Sequence, residues 1–206
     1  LHTPGFESVD FSALSSTVAG GMALQGAVAD RWKAVTGCIL AQGWGLTETS
    51  PVVTTTPRDS DFNNSIGLPV SSTEVSIRDD RGDELMVGEV GEICVRGPQV
   101  MTGYWQRPDE TAAVMLEGGW LKTGDIGRID SAGFVYIEDR KKDMILVSGF
   151  NVYPNEVEAV VARHPGVLEV AAVAQPDEKS GEVVALFVVR KDPSLTAEAA
   201  VSYTHL

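Results

Sequence analysis

The sequence has 206 residues and carries 16 Lys and Arg against 29 Asp and Glu, so its formal net charge is -13. This acidic balance argues against a nucleic-acid-binding module, because such modules usually present a basic surface to phosphates. With 43% apolar and 22% charged residues, the composition is typical of a packed globular protein rather than a disordered or fibrous one.

The N-terminal third predicts a helix, a short strand and a polar loop. Apolar residues recur at helical spacing from Ala23 to Val35, and Gly37 follows as a stop signal. Cys38 to Leu40 is a short β-like run. The loop 43–51, with the sequence GWGLTETSP, comes directly after this run.

The middle third, from Gly67 to Asp139, changes to short β-rich runs separated by turn residues. The strands predicted here are 74–78, 90–96, 120–121, 126–129 and 134–138. Two clusters of Asp and Gly, at 79–82 and 130–133, are typical of hairpin turns. We therefore expect a small barrel or a curved antiparallel sheet.

The last third has a pattern of its own and begins after Arg140, Lys141 and Lys142, the only three consecutive basic residues of the chain. It predicts a turn at 148–149, a helix at 155–163 and strands at 144–147, 167–174 and 183–189. This alternation favours a separate α+β core. The apolar run 183–189 is too short to span a membrane and favours a buried strand.

The loop 43–51 is the first segment whose residues suggest chemistry. Thr47, Thr49 and Ser50 could offer hydroxyls and amides to phosphate oxygens, and Glu48 supplies the hard oxygen that Mg²⁺ prefers. Trp44 would add a flat face for a purine ring. The alternative is an ordinary hydroxyl-rich surface turn, and the residues alone favour that alternative.

Two further segments have both a functional and a structural interpretation. Asp125, placed by the pattern at the end of a strand after Gly124, could accept both hydroxyls of a ribose, although capping a turn is the commoner role of such a residue. The cluster 140–142 is either a solvated charge run or a polar hinge whose cations reach an anionic ligand.

The cysteines, histidines and lysines exclude several other kinds of site. Cys38 and Cys94 form no C-x-x-C pair, which indicates reduced thiols in a cytosolic protein. The three histidines are His2, His164 and His205; two lie at the termini and one precedes a proline, so a histidine triad or zinc cage is hard to build. The dipeptide Gly-Lys is absent, which excludes a Walker A loop.

Four strings, taken in order, carry a family resemblance: GWGLTETSP, GYWQRPDETA, GWLKTGDIGRID and DRKKDMILVSGFNVYPNEVE. Together they closely resemble the adenylate-forming (AMP-binding) superfamily of acyl-CoA synthetases, nonribosomal peptide adenylation domains and luciferases. The string SGFNVYPNEVE is most similar to bacterial medium- and long-chain fatty acyl-CoA ligases. The resemblance runs from about residue 1 to about residue 200.

The resemblance implies an α/β fold with a β-barrel-like part, namely the rear of the large adenylate-forming domain followed by the start of a small α+β C-terminal domain. We expect residues 1–66 to end the α/β part and residues 67–139 to form the β-barrel-like subdomain. The hinge is then 140–142, and the truncated C-terminal domain is 143–206.

The resemblance also assigns site residues by position. Gly21, Met22 and Ala23 would line the adenine and acyl pocket, and Gln42, Gly43 and Trp44 would wrap the adenine. The remaining assignments are the phosphate-contacting Thr47, the Mg²⁺ ligand Glu48, the ribose-binding Asp125 with its partner Arg140, the hinge residue Lys142, and Ser148, Gly149 and Phe150 along the pantetheine tunnel.

The reaction implied by the resemblance is that of an acid–thiol ligase, an AMP-forming acyl-CoA synthetase of fatty acid metabolism. A fatty or related carboxylic acid attacks ATP to give acyl-AMP, and coenzyme A then takes the acyl group. The expected small molecules are ATP, Mg²⁺, coenzyme A and the acid, with no nucleic acid. We expect a cytoplasmic protein without a transmembrane segment. Peripheral association of the parent enzyme with a membrane is compatible with this expectation.

The family's phosphate loop ending in Lys should precede this sequence, and the catalytic Lys of the small domain should follow it. We therefore expect an internal fragment that is inactive by itself. Two alternatives stay open at this point: an adenylation domain that loads a carrier protein, and a catalytically incompetent nucleotide-binding fragment.

Overall fold

A computed structural model describes residues 1, 3–22, 24, 26–57 and 60–202. The chain divides into two compact units, the first formed by 1–123 with 127–137 and the second by 124–126 with 138–206. The described helices are α1 (Gly26–Thr36), α2 (Pro108–Val114), α3 (Pro154–Val161) and α4 (Ala197–Ser202). The described strands are β1 (Thr17–Ala19), β2 (Leu40–Gly45), β3 (Val52–Thr55), β4 (Leu68–Pro69), β5 (Glu74–Arg78), β6 (Gly91–Arg96), β7 (Met115–Leu116), β8 (Trp120–Ile129), β9 (Val135–Arg140), β10 (Ile145–Val147), β11 (Phe150–Val152), β12 (Val167–Asp177) and β13 (Gly181–Arg190).

The first unit contains a small mixed sheet in the order β1-β2-β3-β4. β1 and β2 are parallel, with Ala19 opposite Gln42, and α1 is the crossover that joins them. β3 then pairs antiparallel with both β2 and β4. Because the loop after β1 and the end of β2 lie at the same edge of a parallel pair, their residues are brought together there.

The middle of the chain forms the expected antiparallel sheet, in the order β5-β6-β8-β7 with β9 paired to β8. Its interior joins that of the small mixed sheet, because Val53, Ile66, Ile77, Ile93, Val95 and Val135 form one buried cluster. Together with the parallel β1–β2 pair, this sheet confirms the predicted combination of α/β and half-barrel structure.

The boundaries in the first two thirds differ from prediction at two instructive places. The predicted loop begins at Gly43, whereas β2 continues through Gly45, because the ladder with β3 extends to Gly45. The predicted strands 120–121 and 126–129 are one strand, β8, so Asp125 lies within a strand and not at its end. Pairing with neighbouring strands continues through residues whose own β propensity is low.

The second unit contains a sheet in the order β11-β10-β13-β12. Val161 of α3, Val167 and Leu195 form its buried core, and Leu186 and Val188 pack on it. The expectation that the run 183–189 is buried was wrong at its end, since Phe187 is 65% exposed and Val189 is 49% exposed. Successive side chains of a strand point to opposite faces, and these two lie on the face away from that core.

Within the part of the chain that the structure describes, no helix has the length and apolar character needed to cross a membrane.

The close approach of Gly45 to the following turn generates a stability prediction. A Cβ at position 45 would overlap the carbonyl oxygen of Pro51. We expect Gly45→Ala to lower the free energy of unfolding by about 1–3 kcal/mol, because the backbone must move to relieve the overlap. Urea unfolding followed by circular dichroism measures this. The control is Gly26→Ala, where the new methyl meets the movable ring of Phe62; equal stability of both variants would contradict the expectation.

Candidate active site

The end of β1 and the end of β2 form the first part of the site. The two backbones approach so closely that a Cβ at Gly20 would lie 2.8 Å from the carbonyl oxygen of Gly43. The next residue, Gly21, has a φ of 86°, which favours glycine. Met22 is 84% exposed. The structure therefore places Gly21 and Met22 beside the β2 end, while Ala23 lies outside the described residues.

Gln42 holds this edge together from inside. The side chain is buried; its Nε2 donates to the Ser65 carbonyl at 2.8 Å, and its Oε1 accepts from the Leu24 amide at 3.4 Å. The backbone amide of Gln42 donates to Thr56 Oγ1 at 3.1 Å. Gln42 thus ties the loop after β1 to β2, and its side-chain amide is used within the protein.

The neighbouring Trp44 has a structural contact as well. Its ring is half-buried and packs against the cluster of Val53, Ile66 and Val135. Part of the indole surface is therefore used by the core, and the remainder is the part that could meet a ligand.

In the turn from Leu46 to Pro51, two hydroxyl groups are used in hydrogen bonds within the protein and one is exposed. Thr49 is fully buried; its Oγ1 accepts from the Leu46 amide at 2.9 Å and lies 2.6 Å from the Pro51 carbonyl oxygen, to which it donates. Ser50 Oγ donates to the Gln99 carbonyl at 3.1 Å. For Thr49 the structure agrees with the alternative of an ordinary structural turn, because its hydroxyl stabilises the turn, whereas Thr47 stays exposed.

Glu48 is half-buried in this turn. Its carboxylate accepts a hydrogen bond from a tyrosine. The Tyr104 hydroxyl donates to Glu48 Oε1 at 2.8 Å, and the Met101 amide donates to the Glu48 carbonyl at 2.8 Å. Hydrogen bonding to the Glu48 carboxylate, together with partial burial, raises the pKa of Tyr104 above its usual range. Sequence reasoning missed Tyr104, although it lies within the quoted string GYWQRPDETA.

The donor set around Glu48 is compatible with Mg²⁺ that is shared with a nucleotide. Across the described residues, the structure has no cluster of three or more His, Cys, Asp or Glu side chains able to hold a metal ion. Mg²⁺ is commonly held by one or two carboxylates together with substrate phosphates and water, and not by an all-protein cage. A single oriented carboxylate beside the exposed Thr47 fits that pattern.

The second unit brings Asp125 and Arg140 together. Arg140 Nε lies 3.4 Å from Asp125 Oδ1; the carboxylate is 7% exposed and the guanidinium side chain 61% exposed. The Lys141 amide donates to the Gly124 carbonyl at 2.8 Å, which fixes the two chain segments next to each other. The two side chains that the resemblance assigns to the ribose therefore form an ion pair with an exposed basic partner, and their role toward a ribose stays a prediction.

A buried carboxylate next to this pair was not assigned a role from the sequence. Asp139 is 3% exposed. Its Oδ2 accepts from the Asn155 amide at 3.0 Å and its Oδ1 from the Arg140 amide at 2.7 Å. Because Asn155 lies in the first turn of α3, Asp139 satisfies a free helix amide and joins α3 to the segment that contains Arg140. The sequence feature that could have drawn attention to Asp139 is its position directly before the basic cluster 140–142.

The remaining predicted residues lie on the surface of the second unit. The Lys142 side chain is 72% exposed, with Nζ 4.0 Å from Asp143 Oδ1. Ser148 and Gly149 connect β10 to β11 with φ values of 51° and 84°, the two positive values of a tight two-residue hairpin turn. Phe150 follows and is 76% exposed.

The predicted residues thus form one group in each unit. The group of the first unit contains Gly21, Met22, Gln42, Gly43, Trp44, Thr47 and Glu48. In the second unit Asp125 and Arg140 are in contact, and Lys142, Ser148, Gly149 and Phe150 follow along the surface.

Comparison with known proteins identifies the family. The sequence profile described as AMP-binding enzyme matches residues 1–105, and the profile of the AMP-binding enzyme C-terminal domain matches residues 156–204. The chain belongs to the AMP-binding enzyme family. The first profile covers the candidate site residues of the first unit, whereas Asp125, Arg140, Lys142 and the turn after β10 lie between the two matched ranges.

Individual members of the family support this membership. The long-chain-fatty-acid–CoA ligase of Escherichia coli O157:H7 is 56% identical over 204 residues, which are 98% of this chain and 36% of that ligase. The fatty acid–[acyl-carrier-protein] ligase ScoC of Streptomyces coeruleorubidus is 42% identical over 194 residues, or 92% of this chain and 37% of that protein. The predicted resemblance to fatty acyl-CoA ligases is thereby confirmed.

Solved structures of the family share the fold. The crystal structure of ATP-bound MatB from Rhodopseudomonas palustris matches with a TM-score of 0.87 and 34% identity over 92% of this chain and 38% of that one. The predicted fold class is confirmed by this match. The chain spans 36% of the length of its E. coli relative.

The buried hydroxyl of Thr49 and the exposed hydroxyl of Thr47 should differ in their contribution to stability. We expect Thr49→Val to lower the free energy of unfolding by about 1–3 kcal/mol, since the Leu46 amide and the Pro51 carbonyl lose their part-buried hydrogen bonds to the buried Thr49 hydroxyl. The matched control, Thr47→Val, removes an exposed hydroxyl and should stay within about 0.5 kcal/mol of the parent chain. Urea unfolding measures both, and a control as unstable as Thr49→Val would contradict the structural role of Thr49.

Proposed function

We propose that this chain is part of an ATP-dependent acyl-CoA ligase that activates a fatty or related carboxylic acid. Such an enzyme joins the acid to AMP and then transfers the acyl group to coenzyme A. The named function of the E. coli relative, at 56% identity over 98% of the chain, supports the proposal. The family's ATP-bound structure supports ATP as the nucleotide.

The observation that carries the proposal is the outward presentation of Thr47 and Glu48. Within the turn, the Thr49 and Ser50 hydroxyls are engaged in internal hydrogen bonds. Thr47 stays exposed, and Glu48 holds its carboxylate at the same outer side. An ordinary surface turn does not need a carboxylate oriented by a tyrosine 56 residues later in the sequence.

The chemistry assigned to these residues is binding and charge neutralisation. Phosphoryl and adenylyl transfer depend mainly on positioning and on stabilising negative charge. Thr47 would donate a hydrogen bond to a phosphate oxygen, and Glu48 would hold Mg²⁺, which neutralises phosphate charge when bound. Asp125 would accept hydrogen bonds from the ribose hydroxyls, and Arg140 would donate to the same hydroxyls.

In the first half-reaction, an oxygen of the substrate carboxylate forms a bond to the α-phosphorus, and the bond to pyrophosphate breaks. In the second, the sulfur of coenzyme A attacks the acyl carbon and AMP leaves. We propose that backbone rotation at Lys142, within the connector 140–142, switches the enzyme from the first half-reaction to the second. Ser148, Gly149 and Phe150 would then line the path of the pantetheine.

The acceptor is coenzyme A in our proposal and not a carrier protein. The carrier-loading relative ScoC is 42% identical, against 56% for the CoA ligase of E. coli. We propose a cytoplasmic enzyme, and the proposal is supported by Cys38 and Cys94, which are not joined in a disulfide. Peripheral association with membranes, where fatty acids dissolve, is part of the proposal for the complete enzyme.

Ribose recognition by Asp125 tests the nucleotide assignment. We expect the chain to bind ATP more tightly than 2′,3′-dideoxy-ATP, and we expect Asp125→Asn to lose most of this preference, about tenfold, because a charged acceptor is removed. Isothermal titration calorimetry measures the four affinities.

The matched control is Asp143→Asn, which changes an exposed carboxylate of the same unit. This control should keep the full preference for the ribose hydroxyls. An unchanged preference in Asp125→Asn, or no preference in the parent chain, would contradict the assignment of Asp125.

A further inference from the structure

The segment from Gln99 to Tyr104 lies along the outside of the Thr47–Ser50 turn and contacts it at three successive points. Gln99 accepts from Ser50 Oγ at 3.1 Å through its carbonyl, and the Met101 amide donates to the Glu48 carbonyl at 2.8 Å. Tyr104 completes the series with the bond from its hydroxyl to Glu48 Oε1 at 2.8 Å. One of the three contacts holds the backbone of the turn, and the other two hold the side chains of Ser50 and Glu48.

Tyr104 is itself fixed by the beginning of α2. Its amide donates to Thr111 Oγ1 at 2.9 Å, and the Thr111 hydroxyl donates in turn to the Arg107 carbonyl at 2.8 Å. The Arg107 amide donates to the Tyr104 carbonyl at 3.2 Å. A Cβ at Gly103 would lie 2.7 Å from the Thr111 methyl group, so this glycine permits the close approach. The backbone of Tyr104 is therefore held at both its amide and its carbonyl, although the side chain reaches the surface.

The chemistry of a carboxylate explains why such a donor matters. A glutamate side chain has three rotatable bonds, and its conformational freedom opposes binding a cation at one defined place. A hydroxyl that donates to Oε1 selects one orientation and leaves the other oxygen as an acceptor. Mg²⁺ requires near-ideal octahedral geometry and is therefore sensitive to the direction of each ligand.

We propose that Tyr104 is a positioning residue that orients the Glu48 carboxylate for the divalent cation of a bound metal–ATP complex. The inference rests on the proposed nucleotide-binding function and adds a residue to it. Tyr104 acts through Glu48 and contacts neither the nucleotide nor the reacting atoms in this role. Its contribution should appear when the metal is present and disappear when it is absent.

The test compares ATP binding by the chain in MnCl₂ with ATP binding in EDTA. Mn²⁺ accepts the same oxygen ligands as Mg²⁺ and reports its own binding through water-proton relaxation. We expect Tyr104→Phe to weaken binding of Mn²⁺·ATP roughly three- to tenfold, the range that loss of one hydrogen bond produces. Binding of ATP in EDTA should stay within about twofold of the parent chain.

The structure offers a matched control in Tyr136. Its hydroxyl donates to Asp130 Oδ2 at 3.1 Å, so Tyr136→Phe removes a tyrosine–carboxylate bond outside the proposed site. This variant should bind Mn²⁺·ATP as the parent chain does. In a Glu48→Gln background, Tyr104→Phe should have little further effect, because the carboxylate on which it acts is gone.

Each result has a definite meaning. Unchanged Mn²⁺·ATP affinity in Tyr104→Phe overturns the inference while the nucleotide assignment stands. Equal losses in MnCl₂ and in EDTA also overturn it, because they assign Tyr104 to general support of the turn. Failure of the parent chain to bind ATP in both conditions overturns the proposed function and this inference with it.

Discussion

The reversal of the chain between β2 and β3 is the constraint on which the candidate residues of the first unit depend. Gly45 permits contact with the Pro51 carbonyl, and the buried Thr49 hydroxyl satisfies the polar groups at both ends of the turn. Because the interior of the turn is satisfied in this way, Thr47 and Glu48 face outward. The two candidate binding residues are thereby held by an ordered turn, and groups that are already ordered lose less entropy if a ligand binds.

In the second unit, strand pairing and a contact with α3 hold the backbone near the candidate residues. Asp125 lies inside a long strand, where neighbouring strands fix its backbone, and its carboxylate meets the guanidinium of Arg140. Asp139, one residue before Arg140, is anchored to the first turn of α3. The exposed Arg140 therefore projects from a backbone that is held on both sides. Exposure of the guanidinium limits the stability gained from the ion pair, which agrees with a role in binding.

Local sequence patterns predicted the elements whose stability is local. The strand 74–78 and the turns at 79–82 and 130–133 agree with the structure, because alternation of side chains and the Asp–Gly clusters define them. The patterns were wrong where distant partners decide. β8 stays continuous through Gly124 because of its neighbouring strands. Tyr104 had no local signal, since its partner Glu48 lies 56 residues earlier.

The proposal that Thr47 and Glu48 bind the phosphates of a nucleotide and its metal ion has a direct test. Backbone amide chemical shifts of the ¹⁵N-labelled chain are measured while Mg²⁺·ATP is added. We expect the signals of Gly43, Thr47 and Glu48 to shift as ATP binds. Binding that leaves all three signals unchanged, or no binding at all, would contradict the proposal.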